Sequence, residues 1–94
     1  MSSGLPEPRL TARAKEDLAS LPRKVQEAVI ETLTLLGVNP GSVGKPLIGR
    51  FRGLWSARIG NYRILYTIEE GRGSKRVTVR AIRHRGVAYR SRPS

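Results

Sequence analysis

Residues 54–68 read Leu54-Trp55-Ser56-Ala57-Arg58-Ile59-Gly60-Asn61-Tyr62-Arg63-Ile64-Leu65-Tyr66-Thr67-Ile68. Trp55, Ala57 and Ile59 alternate with Ser56 and Arg58. Gly60-Asn61 supplies a tight turn, and Tyr62, Ile64, Tyr66 and Ile68 then alternate with Arg63, Leu65 and Thr67. A period of two sends successive side chains to opposite faces of a sheet, so the pattern predicts an antiparallel hairpin with its apolar set on the core. Arg58 and Arg63 then project from the other face on neighbouring strands, where their guanidinium groups can converge.

Downstream, a second turn at Glu70 to Ser74 leads into Val77, Val79 and Ala81. Strict alternation from Val77 would carry Arg83 and Arg85 to the core side, so the strand is expected to end or bulge near Ile82, freeing Arg85 toward the open face. Upstream, Pro8 to Leu10 reads as a short first strand, and Thr11 is placed to cap the helix that follows. Ala14, Leu18 and Leu21 give that helix its apolar stripe. Pro22 falls in the first turn of a second helix, whose stripe is Val25, Ala28, Val29, Leu33 and Leu36, with Gly37 marking its end. From Asn39 to Gly53, the repeated glycines and prolines read as a loop. The expected fold is α+β. Two antiparallel N-terminal helices cover one face of a small, mainly antiparallel sheet in a single domain, residues 1–94, with 1–7 and 91–94 as flexible tails.

Residues 1–44 carry five basic and five acidic side chains and residues 45–94 carry thirteen basic and two acidic, so the net charge of +11 lies wholly in the second half. Eleven of those thirteen cations are arginines, whose planar donor fork matches phosphate oxygens. A phosphate polymer is the partner this composition implies. The chain has no cysteine, which excludes a disulfide framework and thiolate metal sites. No apolar run approaches the roughly 18 residues of a membrane helix, and a signal-peptide build is lacking. A cytoplasmic protein without membrane contact is expected. The seven acidic residues are scattered and His84 is the only histidine, so neither a metal nor another cofactor is expected. Gly41-Ser42-Val43-Gly44-Lys45-Pro46 is not a phosphate loop: Asn39 stands where the first glycine belongs, and Pro46 where a Ser or Thr belongs.

The run Gly53 to Tyr66, preceded by Gly44-Lys45-Pro46-Leu47 and followed by Ile82-Arg83-His84-Arg85-Gly86-Val87-Ala88-Tyr89-Arg90, resembles the RelE/ParE toxin superfamily over nearly the whole chain. Gly60-Asn61-Tyr62-Arg63-Ile64-Leu65-Tyr66 is its most specific part. This run marks the superfamily without separating the RNA-cleaving RelE branch from the gyrase-inhibiting ParE branch. The resemblance implies a RelE-like fold and, in the RNA-cleaving branch, cleavage of mRNA on the ribosome. It also implies neutralisation by a cognate acidic, RelB-like antitoxin, with a monomer when free and a hetero-oligomer when bound. Residue by residue it assigns catalysis to Arg58, Arg63, Arg85 and Tyr89. The position two before Arg58, basic in the family pattern, is Ser56, and arginine is itself a poor proton acceptor.

The chemistry of an endoribonuclease follows without the family. RNA contains its own nucleophile, the 2′-OH, so cleavage needs in-line geometry, stabilisation of phosphoryl charge and help with protons. Arginines supply the stabilisation without a metal, and the products would be a 2′,3′-cyclic phosphate and a 5′-hydroxyl. Lys45, Arg50, Arg52, Arg83 and Arg90 extend the RNA-binding surface, with solvated charge as the plainer reading. His84 is the candidate for proton transfer or an ordinary strand-end residue. Tyr89 either stacks on a base or steers the nucleophile, or else closes the core. Trp55 and Tyr66 read as packing. Retention of Arg63, Arg85 and Tyr89 favours mRNA cleavage over a gyrase inhibitor, and a noncatalytic basic RNA- or ribosome-binding protein is the third reading.

Overall fold

The computed structural model describes residues 8–71 and 73–84. Their elements follow the order β1 (Arg9–Leu10), α1 (Ala12–Ala19), α2 (Arg23–Val38), the single turn α3 (Pro40–Val43), β2 (Lys45–Pro46), a 3-10 turn (Gly49–Phe51), β3 (Trp55–Ile59), β4 (Tyr62–Gly71) and β5 (Ser74–His84). The strands form one five-stranded sheet in the order β1-β5-β4-β3-β2. All neighbours are antiparallel except β1, which runs parallel to β5. The α+β architecture expected from the sequence is the one observed.

Thr11 caps α1 as its sequence position implies, its hydroxyl accepting a 3.1 Å hydrogen bond from the Ala14 N–H. Pro22 is the N-cap of α2 rather than a first-turn residue. Gly37 lies inside that helix, which continues to Val38 and stops at Asn39 because Pro40 opens a new turn. Gln26 joins the two helices by donating 2.8 Å to the Leu18 carbonyl. The stripe residues Ala14, Val29 and Leu36 are buried against Ala57, Ile64, Tyr66, Val77, Val79 and Ile82, with Trp55, Ile59 and Ile68 packed around them. This is the apolar set of the alternation in residues 54–68, apart from Tyr62 at the sheet's end; in the last strand Ile82, not Ala81, joins this core cluster. Trp55 stacks on Tyr66 with centroids 6.2 Å apart, in keeping with a packing role.

Two features depart from the sequence reading. The segment 39–53 is not simply loop, because Lys45–Pro46 adds an edge strand opposite Trp55 and Ser56. Two residues flanked by glycine and ending in proline carry no strand signal, and only tertiary pairing makes them one. The interruption of the last strand lies two residues earlier than expected. Tyr66 faces Val79 and Leu65 faces Ala81, so Arg80 is the extra residue of a β-bulge. Ile82 is therefore neither a strand end nor a bulge: it lies opposite Ile64 and is only 3% exposed.

Candidate functional site

The bulge decides which cations share a face. Before it, Val77 and Val79 face the helices; after it, Ile82 does, and Arg83 turns to the opposite face. Arg63 lies directly opposite Arg58 on one side and Arg83 on the other. Three arginines thus form one row across β3, β4 and β5, on the face away from the helices. Directly opposed residues have Cβ atoms roughly 5 Å apart, and like charges at that distance repel. The two acidic residues of the second half lie at the other end of the hairpin, Glu69 opposite Arg76 and Glu70 opposite Lys75. Positive potential is consequently concentrated at the row, where an anion would relieve it.

One carboxylate does approach the row. Asp17 on α1 places Oδ2 3.8 Å from Arg83 Nε while the same oxygen accepts 2.9 Å from the Ile82 N–H. Arg83 is thereby tied to the edge of β5, and Arg58 is exposed with no ion pair recorded among the described residues.

Arg58 and Arg63 also line an open groove of about 480 Å³ together with Lys45 and Ser56. Its outer wall is β2, held close to β3 because Gly44 has no side chain: a Cβ there would collide with the Tyr66 hydroxyl and the Ser56 carbonyl. Tyr66 donates 2.9 Å to the Pro40 carbonyl, locking the turn before β2. Burial pushes the Tyr66 phenol up from its ordinary pKa, and a backbone hydrogen bond with Gly44 works in the other direction.

The remaining sequence-predicted residues fall elsewhere. His84 shares a face with Tyr62, whose ring it meets edge-on at 5.2 Å, and both alternate in phase with Ile64 and Ile82. The imidazole is therefore on the helix side of the sheet, away from the arginine row. Arg50 and Arg52 are exposed between β2 and β3 and do not line the groove. Arg85, Tyr89 and Arg90 lie outside the described residues. No group of three His, Cys, Asp or Glu is placed to hold a metal among the described residues.

Sequence reasoning missed the partnership of Arg83 with Arg63 and the carboxylate of Asp17. The first had a legible signal: Val77, Val79 and Ile82 are spaced two and then three apart, which is the mark of an inserted residue. The second is a contact between residues 65 apart in sequence, with nothing local to announce it.

Residues 9–89 match the family model described as the ParE toxin of the parDE type II toxin–antitoxin system. The chain belongs to the RelE/ParE toxin superfamily. It is 42% identical over 86 residues to Toxin RelE of Mycobacterium tuberculosis, an alignment spanning 89% of this chain and 86% of that one. Toxin RelG of the same organism is 39% identical over 83 residues, covering 87% and 93%. Among solved structures, the RelBE2 toxin–antitoxin complex of M. tuberculosis superposes with a TM-score of 0.75 at 38% identity, covering 85% of this chain and 99% of that one. The archaeal RelE–RelB complex of Pyrococcus horikoshii, at 20% identity and a TM-score of 0.68 over 88% and 98%, shares the fold. As a superfamily member this chain is a RelE-like toxin of type II toxin–antitoxin systems.

Proposed function

We propose that this toxin is a ribosome-dependent mRNA endonuclease that cleaves without a metal. The observation that carries the reading is the cross-strand row Arg58–Arg63–Arg83 on the sheet face away from the helices. A phosphodiester seated on the row has its charge matched by guanidinium donors fixed on rigid strands, the arrangement that stabilises charge developing at phosphoryl oxygens. The neighbouring 2′-oxygen forms a bond to phosphorus, the bond to the 5′-oxygen breaks, the 2′-OH loses its proton and the departing oxygen gains one. The arginines hold phosphoryl charge and do not accept the proton. Arg85 and Tyr89 are assigned to the same centre on the family resemblance, and Lys45 and Arg90 to the RNA surface. The remaining positive charge serves contact with ribosomal RNA.

A cognate acidic antitoxin is the second partner. Relatives are known as RelB–RelE complexes. On this chain, α2 leaves Ile30, Leu35 and Val38 more than half exposed on the side of the sheet opposite the arginine row, so an acidic, amphipathic segment that wraps the domain would meet both an apolar and an electrostatic foothold.

Controlled expression followed by mapping of mRNA 5′ ends tests the reading; growth arrest with uncut messages refutes it. The ParE name of the matching family model supports a second reading, inhibition of DNA gyrase. Gyrase-linked DNA breaks with translation initially spared would establish that alternative. A noncatalytic RNA binder would instead lose affinity in step with charge in an Arg63→Ala/Arg83→Ala double variant, with no cleavage to abolish.

A further inference from the structure

We propose that Ser56 and Lys45 form a second phosphate seat, one nucleotide step along the RNA from the phosphate held by the arginine row. The proposal rests on the nucleic-acid reading above and adds a subsite to it. Ser56 is 8% exposed, and its Oγ has no hydrogen-bond partner among the described residues. A buried hydroxyl left unpaired is costly, and a native structure keeps one where something else completes it. Lys45 is the direct cross-strand neighbour of Ser56, so its side chain emerges on the same face. Both residues line the groove that contains Arg58 and Arg63, and none of its lining residues is acidic. An ammonium beside an unpaired hydroxyl, with no carboxylate to satisfy either, selects an oxyanion.

The spacing says which oxyanion. Ser56 and Arg58 are two residues apart on β3, roughly 7 Å along an extended strand, which approximates one nucleotide step. The groove therefore holds two successive backbone phosphates, one at Arg58–Arg63 and one at Lys45–Ser56. Position along the chain, rather than a base edge, is what the second seat would read. It acts by fixing the RNA strand in register over the arginines.

The test uses the full chain and a short single-stranded RNA oligonucleotide bearing 2′-O-methyl groups, which binds but cannot be cut. Ser56→Ala removes an unsatisfied buried atom, so its melting temperature rises by a few degrees while RNA affinity falls about tenfold. Lys45→Met at an exposed site keeps the wild-type melting temperature, weakens binding, and lowers the slope of log affinity against log salt by about 0.7, the loss of one phosphate contact on a single strand. A Ser56→Ala variant in which stability and affinity fall together, or in which affinity is unchanged, overturns the seat. So does an unchanged salt slope in Lys45→Met. Cleavage of an unmodified message on ribosomes is measured separately: wild-type binding signatures with an uncut message would sink the nuclease reading and leave the seat standing, whereas cleavage with both variants retaining wild-type half-saturation would sink the seat alone.

Discussion

Asp17 Oδ2 accepts a 2.9 Å hydrogen bond from the Ile82 N–H and sits 3.8 Å from Arg83 Nε. β1 pairs with β5 only at Thr78 and Val79, so among the described residues no strand lies beside this edge of β5 beyond the bulge. Asp17 takes the place of one, and in doing so holds the strand in the phase that presents Arg83 next to Arg63. Asp17→Ala is expected to lose about 1–3 kcal/mol in urea unfolding, because the N–H of the buried Ile82 is left unpaired. Asp17→Asn keeps an acceptor and should recover most of that stability. The exposed part of the pair with Arg83 contributes little.

The tie between β2 and β3 depends on a side chain that is absent. Gly44→Ala forces a Cβ into backbone and the Tyr66 hydroxyl, and is expected to destabilise by several kcal/mol or displace β2. The same variant should weaken RNA binding, because Lys45 follows directly.

Tyr66 gives the fold an alkaline limit. Its phenol is neutral in the fold, with a pKa raised chiefly by burial against the opposing Gly44 hydrogen bond. A raised folded pKa means that the contribution is complete below the unfolded value, about 10, and is lost as pH climbs through the raised one. Thermal stability should fall as pH rises from about 10 through the raised value, and Tyr66→Phe should remove this component. It should also lose about 1–3 kcal/mol at neutral pH by leaving the buried Pro40 carbonyl without its donor. Melting curves across pH for both proteins check the point.

The arginine row makes a prediction about rate rather than stability. Arg63→Ala is expected to reduce cleavage by roughly 10² to 10³ with folding intact, as for loss of one preorganised donor. Arg63→Lys should recover only part, since an ammonium cannot reproduce the planar fork. His84→Ala should leave the cleavage rate within about twofold, because the ring faces Tyr62 on the other side of the sheet. Single-turnover measurements on ribosome-bound message distinguish these outcomes.

The hairpin of β3 and β4 was legible because its residues obey one period with a glycine at the turn, and Gly60 does adopt a positive φ of 56°. The opposition of Arg58 and Arg63 followed directly. Arg83 was harder, since Arg80 breaks the period and a one-residue slip changes the face of everything after it. Lys45 and Ser56 were visible as residues but not as neighbours: β2 is a strand only because Gly44 lets it approach. Asp17 carries no sequence signal of its own, and only the tertiary packing of α1 on β5 gives it a role.

The most direct measurement is primer extension on a defined message incubated with purified ribosomes and this protein, with the end chemistry of the fragments determined. The account predicts new 5′ ends bearing a hydroxyl, matching upstream fragments ending in a 2′,3′-cyclic phosphate, undiminished by chelators at constant ribosome integrity and lost in Arg63→Ala/Arg83→Ala. An intact message under conditions where the protein binds the ribosome would contradict it.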